Sequence, residues 1–463
     1  MAESAHRTVD ADNLTRVFKA YDVRGTVPDQ VDEELARAVG NAFVQVTAPE
    51  GTPAGVVVGH DMRPSSPAMA QAFAEGAAEA GADVTLVGLA STDQLYFASG
   101  HLGLPGAMFT ASHNPAQYNG IKLCHAHAAP VGRDTGLAAI RDLVAEGGHR
   151  SAARPGTLTT TDLLPAYADH LLTLAPVHGR RLKVVVDAGN GMAGHTAPEV
   201  LGRLDLDLVR LFFELDGTFP HHEANPIEPE NLRDLQAAVL EHGADLGLAF
   251  DGDADRCFVV DEKGEPVSPS VLTALIAARE LAKEPGATVI HNLITSRAVP
   301  EIVAERGGSP VRTRVGHSFI KATMASTDAV FGGEHSGHFY FRDFWRADSG
   351  MLAALHTLAA LAEQDLPLSA LLADYSRYVS SGEVNSTVGD ADEVLRRLEK
   401  KYAVVVGVEV DDLDGLTVTH ADWWFNVRPS NTEPLLRLNV EGVDRETMTA
   451  VREQVLGLIR SET

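Results

Sequence analysis

Apolar, β-branched runs alternate with helical stretches through the first three quarters of the chain. Three such runs, at residues 55–59, 182–187 and 288–292, each precede a turn and then a helical stretch, the first of these helices being expected at residues 68–80. Continuous Val/Ile runs between helices are typical of parallel strands buried on both faces. The pattern predicts α/β units, and the three similar openings indicate three related α/β domains.

The C-terminal part of the chain has a different pattern. Residues 395–402 are expected to be helical, and residues 403–410 and 435–440 are expected to be strands. Such a segment is typical of an α+β domain, separate from the preceding α/β units.

Two segments indicate where domains meet. Residues 147–156 are polar and contain Gly and Pro, and residues 257–266 predict a strand and hairpin with Lys263 and Gly264 as the turn. We therefore expect three α/β domains and an α+β domain, at residues 1–150, 151–256, 257–370 and 371–463.

Composition narrows the class of protein. With 463 residues, of which 44% are hydrophobic and 22% charged, the chain is expected to be a soluble protein with several domains. It contains no apolar run near the ~18–20 residues that a membrane helix needs and no visible secretory signal. Cys124 and Cys257 provide no disulfide framework, so we expect both to be buried apolar groups in a cytoplasmic protein.

The net charge of −26 argues against nucleic acid as a partner. The expected partner is a small molecule, with neither nucleic acid nor membrane involved. A phosphorylated ligand would need local arginines to overcome the overall negative field. The oligomeric state is left open.

A serine lies in a turn at residues 110–115, which read Thr-Ala-Ser-His-Asn-Pro. The Asn-Pro pair disfavours a helix and keeps the loop open. Ser112 is therefore a candidate nucleophile, although a local turn cap is the alternative. We expect Ser112 and His113 to point apart, so that His113 does not take the serine proton. Lys122 follows ten residues later and can return to the same loop.

Three carboxylates, Asp251, Asp253 and Asp255, follow an apolar strand at residues 246–250. On an extended loop, alternate residues project to one side, where carboxylates repel each other unless a cation lies between them. Ligands with oxygen donors alone suit Mg²⁺ or Ca²⁺ rather than zinc. An EF-hand is excluded because Arg256 stands where a glycine is needed, which leaves an acidic turn as the alternative. A hydroxyl and a hard-cation site are the parts required for phosphoryl transfer.

A glycine-rich segment at residues 189–194 matches the G-x-G-x-x-G pattern of dinucleotide-binding proteins. Glu214 and Asp216 follow it by about twenty residues, as in that motif. A dinucleotide-dependent oxidoreductase is therefore an alternative function. Tight strand-to-helix turns in α/β proteins also need glycines, so the motif on its own does not decide between the two.

Two further loops carry groups suited to sugars and phosphates. Residues 332–338 place Glu334 and Ser336 between glycines, where they could hydrogen-bond vicinal hydroxyls, although a flexible glycine loop is the alternative. A guanidinium, two hydroxyls and an amide at residues 428–434 could surround a phosphate dianion: they belong to Arg428, Ser430, Asn431 and Thr432. A helix capping box from Ser430 is disfavoured there because the next residues alternate like a strand.

Together and in this order, these segments resemble the α-D-phosphohexomutases, the family of phosphomannomutase and phosphoglucomutase. The resemblance runs nearly end to end. It rests on residues 19–25, 110–115 with 120–122, 251–256, 315–321, 333–338 and 428–434.

The resemblance implies a four-domain enzyme with a central cleft, made of three related α/β domains and a smaller C-terminal α+β domain. It implies that Ser112 is a phosphoserine, that Asp251, Asp253 and Asp255 bind Mg²⁺ with a phosphoserine oxygen, and that Glu334 and Ser336 read sugar hydroxyls. The implied phosphate clamp consists of Arg428, Ser430, Asn431 and Thr432. Arg24, Lys122 and His338 are implied around the transferred phosphoryl group, and Tyr21, Arg256 and His317 in the cleft lining.

The implied reaction interconverts hexose 6-phosphate and hexose 1-phosphate through a hexose 1,6-bisphosphate, which also serves as activator. His335 stands where family members with dual mannose and glucose activity often have methionine and glucosamine mutases have glutamine. We expect mannose phosphate to be favoured, with glucose phosphate as a second substrate. A phosphoglucosamine mutase of the same fold is the alternative. Lys122 or His338 is the expected general base.

Overall fold

The computed structural model describes residues 11–48, 54–430 and 435–461. They form two compact units. The first contains the chain up to Val267 together with Ser336–Ser369, and the second contains Ser268–His335 and the chain from Ala370 onward. Among the described helices, none combines the length and the apolar character needed to cross a membrane.

The first unit begins with a mixed sheet covered by helices. Its strands are β1 (Asp22–Thr26), β2 (Ala54–His60), β3 (Ala82–Leu89), β4 (Gly106–Phe109), β5 (Tyr118–His125), β6 (Ala129–Pro130) and β7 (Leu158–Thr160). Its helices are α1 (Ala11–Val17), α2 (Glu33–Thr47), α3 (Ser66–Glu79), α4 (Thr92–Leu102) and α5 (Leu137–Ala145). The strand order is β1-β5-β4-β2-β3-β7, with β6 paired to β5. Phe43, Phe73 and Phe109 pack in the core between α2, α3 and the sheet.

The same unit continues with a second mixed sheet, ordered β12-β11-β10-β8-β9. Its strands are β8 (Leu182–Asp187), β9 (Leu206–Leu211), β10 (Leu246–Phe250), β11 (Cys257–Asp261) and β12 (Pro266–Val267), with helices α6 (Leu164–Leu174), α7 (Ala193–Leu201) and α8 (Arg233–His242). β8 is parallel to β9 and β10, and β11 is antiparallel to β10. Because β8 and β10 point the same way, the loops at their carboxyl ends lie at one edge of the sheet.

The second unit begins with parallel strands in which β13 (Thr288–Asn292) pairs with β14 (Ser309–Thr313) and β15 (Phe331–Gly333). The associated helices are α9 (Pro269–Lys283), α10 (Ala298–Glu305) and α11 (His317–Thr327). The chain then contributes to the first unit an antiparallel pair, β16 (Phe339–Phe341) with β17 (Ala347–Asp348), and the buried helix α12 (Gly350–Ala362).

The C-terminal part of the second unit is an antiparallel sheet of order β18-β22-β21-β20-β19. The chain passes through α13 (Leu368–Leu371), β18 (Val379–Thr387), α14 (Ala391–Tyr402), β19 (Glu409–Asp411), β20 (Leu416–Thr419), β21 (Trp423–Pro429), β22 (Leu435–Gly442) and α15 (Arg445–Arg460). Leu398, Phe425, Leu438 and Val455 form its core between the sheet and the two long helices.

The predicted fold class is confirmed, since three sets of parallel strands with helices precede an antiparallel α+β segment. The predicted strand at residues 403–410 is wrong, because only Glu409–Asp411 is extended. Val404 and Val406 are 81% and 95% exposed, and Gly407 has a φ of +80°, so this segment is a surface turn. β7 lies beyond the expected boundary at residue 150 and still pairs with β3 of the first sheet.

Candidate active site

Ser112 lies in the loop between β4 and β5, here called the serine loop (residues 110–115). Its backbone has a left-handed φ of 51°. Thr110 Oγ1 accepts a hydrogen bond from the Ser112 N–H at 2.9 Å, which fixes the start of this bend. The Ser112 hydroxyl donates to Asp251 Oδ2 at 2.9 Å. The structure thus joins the two motifs that the sequence places 139 residues apart.

His113 contacts the serine hydroxyl, so the expectation that the two side chains point apart is wrong. Ser112 Oγ and His113 Nδ1 are 3.2 Å apart. The positive φ at Ser112 bends the chain sharply enough to bring the neighbouring side chain back beside it. Burial, together with the charges of Arg256 and Arg24, holds the pKa of His113 well below its usual value. A neutral imidazole therefore contacts the candidate nucleophile at neutral pH.

The three aspartates follow β10 in a tight turn. The expectation of an extended loop is wrong, because the Ala254 N–H donates to the Asp251 carbonyl oxygen and Ala254 has a φ of 61°. The turn nevertheless brings carboxylate oxygens of Asp251, Asp253 and Asp255 within 4.8 Å of one another. Gly252 permits the approach to the serine loop, since a Cβ there would lie 2.5 Å from the Ser112 carbonyl oxygen.

Two cationic side chains face the three buried carboxylates. Lys122 Nζ donates to Asp253 Oδ2 at 2.7 Å and to Asp255 Oδ2 at 2.6 Å. Arg256 Nε donates to Asp251 Oδ2 at 2.8 Å. Burial opposes the charge on Lys122, but Asp253 and Asp255 outweigh it and raise its pKa well above the usual value. Burial and the neighbouring carboxylates raise the pKa of Asp251 to about 7, against the opposing effect of Arg256. The cluster carries more negative charge than its neighbours balance.

The donor set fits a hard divalent cation. Asp253 Oδ1 and Asp255 Oδ1 are buried and have no hydrogen-bond partner among the described residues. Buried carboxylate oxygens in this state are costly unless an ion or water completes them. Oxygen donors converging on one point are the ligands that Mg²⁺ takes in proteins. These residues can therefore hold Mg²⁺, with the serine hydroxyl beside them.

Arg24 is a cationic side chain that contacts the serine loop. It lies on β1, opposite Gly120 of β5. Its Nη1 donates to Asn114 Oδ1 at 2.6 Å, and its Nη2 pairs with Asp22. Tyr21 directly precedes β1 and is half-buried. The antiparallel pairing of β1 with β5 thus places the predicted Arg24 against the loop that contains the predicted Ser112.

His338 lies beside Asp255 of the aspartate cluster. Its Nε2 is 3.6 Å from Asp255 Oδ1, and its Nδ1 is 2.9 Å from Ser336 Oγ. A β-bridge between Arg256 and His338 holds the two segments together. The first unit therefore collects every predicted group around the transferred phosphoryl, together with one predicted sugar reader, Ser336.

The second unit carries the other predicted groups. Glu334 and His335 directly follow β15, and Asn292 Nδ2 donates to Glu334 Oε2 at 3.3 Å. Burial lowers the pKa of His335, the charge of Glu383 opposes this effect, and the charge of Arg428 adds to it. His317 is the first residue of α11. Asn431 and Thr432 lie outside the described residues.

Arg428 is one of two arginines that share a carboxylate. Arg428 on β21 and Arg437 on β22 are cross-strand partners. Arg428 Nη2 donates to Glu383 Oε2 at 2.9 Å, and Arg437 Nη1 lies 3.3 Å from Glu383 Oε1. Arg437 Nη2 also donates weakly to Ser430 Oγ, at 3.4 Å. Arg437 is not among the predicted site residues, because in sequence it reads as a polar position of an alternating strand and only the register places it beside Ser430.

The glycine-rich segment at residues 189–194 has a packing role. A Cβ at Gly191 would lie 2.7 Å from the Gly252 carbonyl oxygen, and one at Gly194 would lie 2.3 Å from the Phe213 carbonyl oxygen. The glycines therefore let this turn pack against the aspartate loop and the end of β9. The Asp216 carboxylate binds the N–H and hydroxyl of Thr218. These contacts explain the glycines without a dinucleotide.

Sequence profiles of one family match the chain along most of its length. The matches are to phosphoglucomutase/phosphomannomutase alpha/beta/alpha domain I at residues 15–151, domain II at residues 165–264, domain III at residues 269–378 and the C-terminal domain at residues 383–458.

Relatives of known name agree with these matches. The chain is 40% identical to a phosphomannomutase of Escherichia coli, over 96% of this chain and 99% of that protein. It is 43% identical to a phosphohexose mutase of Xanthomonas campestris, over 92% and 94%. Among solved structures, a phosphoglucomutase/phosphomannomutase family protein of Burkholderia thailandensis superposes with a TM-score of 0.88 at 33% identity, covering 96% of this chain and 98% of that one. The chain therefore belongs to the phosphoglucomutase/phosphomannomutase family of phosphohexomutases, isomerases that move a phosphoryl group within a hexose phosphate.

Proposed function

We propose that this phosphohexomutase acts on mannose phosphate, with glucose phosphate as a second substrate, and that it works through a phosphoserine at Ser112. The observation that carries the proposal is the 2.9 Å hydrogen bond from the Ser112 hydroxyl to Asp251, inside a buried three-carboxylate cluster. Mannose is favoured because relatives along nearly the whole chain are named phosphomannomutase.

Each half of the proposed reaction moves one phosphoryl group between Ser112 and a sugar hydroxyl. In the first half, the bond from phosphorus to Ser112 Oγ breaks while a bond from phosphorus to the hydroxyl oxygen forms, giving a hexose 1,6-bisphosphate. In the second half, Ser112 Oγ attacks the other phosphate of the bisphosphate, the bond from that phosphorus to the sugar oxygen breaks, and the sugar oxygen takes up a proton while Ser112 is phosphorylated again. Mg²⁺ bound by Asp251, Asp253 and Asp255 would stabilise the negative charge that spreads over the transferred group.

Proton movement is assigned to the two histidines. The attacking hydroxyl must lose a proton as the bond to phosphorus forms, and His338 lies beside Asp255 to take it. Neutral His113, 3.2 Å from Ser112 Oγ, can exchange the serine proton. Lys122 already donates to two carboxylates, so we assign it and Arg24 to the transferred phosphoryl oxygens rather than to the role of base.

Groups in both units would bind the rest of the substrate. We assign the phosphate that is not being transferred to Arg428, Ser430, Asn431 and Thr432, and add Arg437 because it contacts Ser430. We assign the sugar hydroxyls to Glu334 and Ser336, and further substrate contacts to Tyr21, Arg256 and His317. The bisphosphate would be the activator as well as the intermediate.

The remaining parts of the proposal concern the domain limits, the partner and the location of the protein in the cell. We propose the domain limits 1–150, 151–256, 257–370 and 371–463, a small phosphosugar as partner, and a cytoplasmic location. The two free buried thiols, Cys124 and Cys257, support a reducing compartment.

Three measurements test the proposal. Intact mass spectrometry of the purified protein, followed by peptide mapping, should find one phosphate on Ser112. Turnover of mannose, glucose and glucosamine phosphates, each with its bisphosphate, should be fastest for mannose, and a preference for glucosamine would indicate the rival mutase. Ser112→Ala should abolish turnover and a chelator should suppress it. Full activity of Ser112→Ala would contradict the phosphoserine route.

A further inference from the structure

A buried arginine that the reaction scheme does not use is wrapped by the serine loop. Arg63 lies between β2 and α3 and its side chain is 1% exposed. Its Nη1 donates to the carbonyl oxygens of Pro115 and Tyr118, both at 2.9 Å. Its Nη2 donates to the carbonyl oxygens of Ser112 at 3.0 Å and Asn114 at 2.6 Å. A single guanidinium thus binds four carbonyl groups of this loop region.

Bringing these four carbonyl groups together would cost free energy if no cation lay between them. Four carbonyl oxygens that converge in a buried space carry partial negative charges that repel each other, and each would lose its water. The guanidinium is planar, always charged and presents a fixed fork of donors, so it can satisfy several oxygens at once. A lysine has a single nitrogen and cannot bind both pairs of carbonyls in the same geometry.

Arg63 is itself held in place by its neighbours. Asp61 Oδ2 is 3.3 Å from Arg63 Nε, and Asp61 Oδ1 accepts from the Arg63 N–H at 3.0 Å and from Ser66 Oγ at 2.6 Å. The ring of Phe219 lies 5.1 Å from the guanidinium carbon. Burial lowers the pKa of Arg63, an effect that Asp61 opposes. These contacts restrict the movement of the guanidinium. Because the loop carbonyls bind to it, the loop is held in a fixed position as well.

We propose that Arg63 is a positioning residue for phosphoryl transfer, which sets the bend of the serine loop and so aims Ser112 Oγ at the aspartate cluster. The proposal rests on the phosphoserine role of Ser112. The link is direct because Arg63 binds the carbonyl of the same residue whose hydroxyl reacts. A shift of about 1 Å in a reacting group can cost about 100-fold in rate, which is within reach of a loop that has lost this anchor.

The test compares Arg63→Lys with wild type in the full chain, with mannose 6-phosphate as substrate and its bisphosphate as activator. We expect kcat to fall about 100-fold while KM changes less than about threefold, since the substrate-binding groups are untouched. The rate at which dephosphorylated enzyme regains phosphate on Ser112 from the bisphosphate, followed by intact mass, should fall by the same factor. Guanidinium ion should restore part of kcat to Arg63→Ala and none to Ser112→Ala.

Two further variants separate positioning from general stability. Arg180→Lys changes an arginine that binds Asp245 and the Gln364 carbonyl, away from the serine loop, and should keep kcat within about twofold. Asp61→Asn keeps the shape but weakens the hold on Arg63 Nε, and should lower kcat with KM unchanged even if Arg63→Lys folds poorly. Melting curves, recorded for every variant, fix an assay temperature at which all are folded.

The outcomes are distinct. Wild-type kcat in folded Arg63→Lys or in Asp61→Asn would overturn the positioning role, as would a loss confined to KM. An equal loss in Arg180→Lys would also overturn it, because the effect would then be one of stability. Absence of phosphate on wild-type Ser112 would instead refute the proposed function itself.

Discussion

Replacing Lys122 with methionine should make the metal-free protein less stable and more dependent on Mg²⁺. Lys122 Nζ pairs with both Asp253 Oδ2 and Asp255 Oδ2, and both carboxylates are at most 1% exposed. Methionine has a similar length but neither charge nor donor. Breaking a buried ion pair by removing one partner costs about 3 to 5 kcal/mol. Because Lys122 keeps 17% of its side-chain surface exposed, we take the lower value.

That loss should appear as a lower melting temperature. A change of about 3 kcal/mol corresponds to roughly 5 °C for a unit of about 300 residues. A divalent cation placed among the aspartates supplies the positive charge that the variant lacks, so its binding should be tighter in the variant. At a concentration 100 times its dissociation constant, a ligand adds about 2.7 kcal/mol to stability. Mg²⁺ should therefore raise the melting temperature of Lys122→Met more than that of wild type.

The measurement is differential scanning fluorimetry with and without Mg²⁺, on protein whose Ser112 phosphate content has been determined by intact mass. Lys183→Met is the matched control, since Lys183 lies 3.6 Å from Asp207 at the surface, with 40% and 54% of the side chains exposed. Exposed pairs of this kind contribute about 0 to 1 kcal/mol. If Lys122→Met melts at the wild-type temperature without metal, or if Mg²⁺ stabilises both proteins equally, the charge balance deduced for this cluster is wrong.

Three further predictions concern other contacts of the two units. Thr92 Oγ1 donates to Asp253 Oδ2 at 2.6 Å, so Thr92→Val should weaken Mg²⁺ binding about tenfold by calorimetry, while Thr92→Ser should not, and equal affinities would show that this bond does not orient Asp253. Arg437→Gln should raise KM for hexose phosphate about tenfold with little change in kcat, because a charge-assisted bond to phosphate contributes about 1.5 to 3 kcal/mol, whereas Arg452→Gln, which removes a similarly accessible arginine that pairs with Glu453 on α15, should change neither. Burial raises the pKa of Asp93 to about 6, against three hydroxyl donors, so its contribution to stability is complete below pH ~4 and is lost as pH rises through 6. Urea unfolding should then show wild type losing about 3 kcal/mol relative to Asp93→Asn between pH 4 and 7, and a difference that is independent of pH would contradict the raised pKa.

Many of the candidate site residues could be predicted from the sequence because they lie in short motifs. Ser112, the aspartates at 251, 253 and 255, and Arg428 each lie in a local pattern whose residue types suit one task, and strands β8, β10 and β13 lie where apolar runs predict them. A short motif specifies its own turn and donor set, since both depend on neighbours along the chain.

Other features of the structure could not be predicted from the sequence, because they depend on backbone conformation and packing that local residue types do not specify. The contact of Ser112 with His113 depends on a left-handed φ, which residue types alone do not require of a serine. The turn at Ala254 replaces the extended loop for the same reason. Residues 403–410 have the apolar composition of a strand, but Val404 and Val406 are exposed to solvent.

The sequence by itself determined the class of fold and predicted a candidate nucleophile and candidate ligands for a cation, because these depend on residue type and on spacing within a few positions. Only the tertiary structure decided which side chains contact these candidate site residues. Arg63, Thr92 and Arg437 are ordinary polar positions in sequence, and they acquire roles only where folding brings them against Ser112, Asp253 and Ser430. A buried charge is tolerated only beside its complement, and which complement it meets is a property of the packed chain.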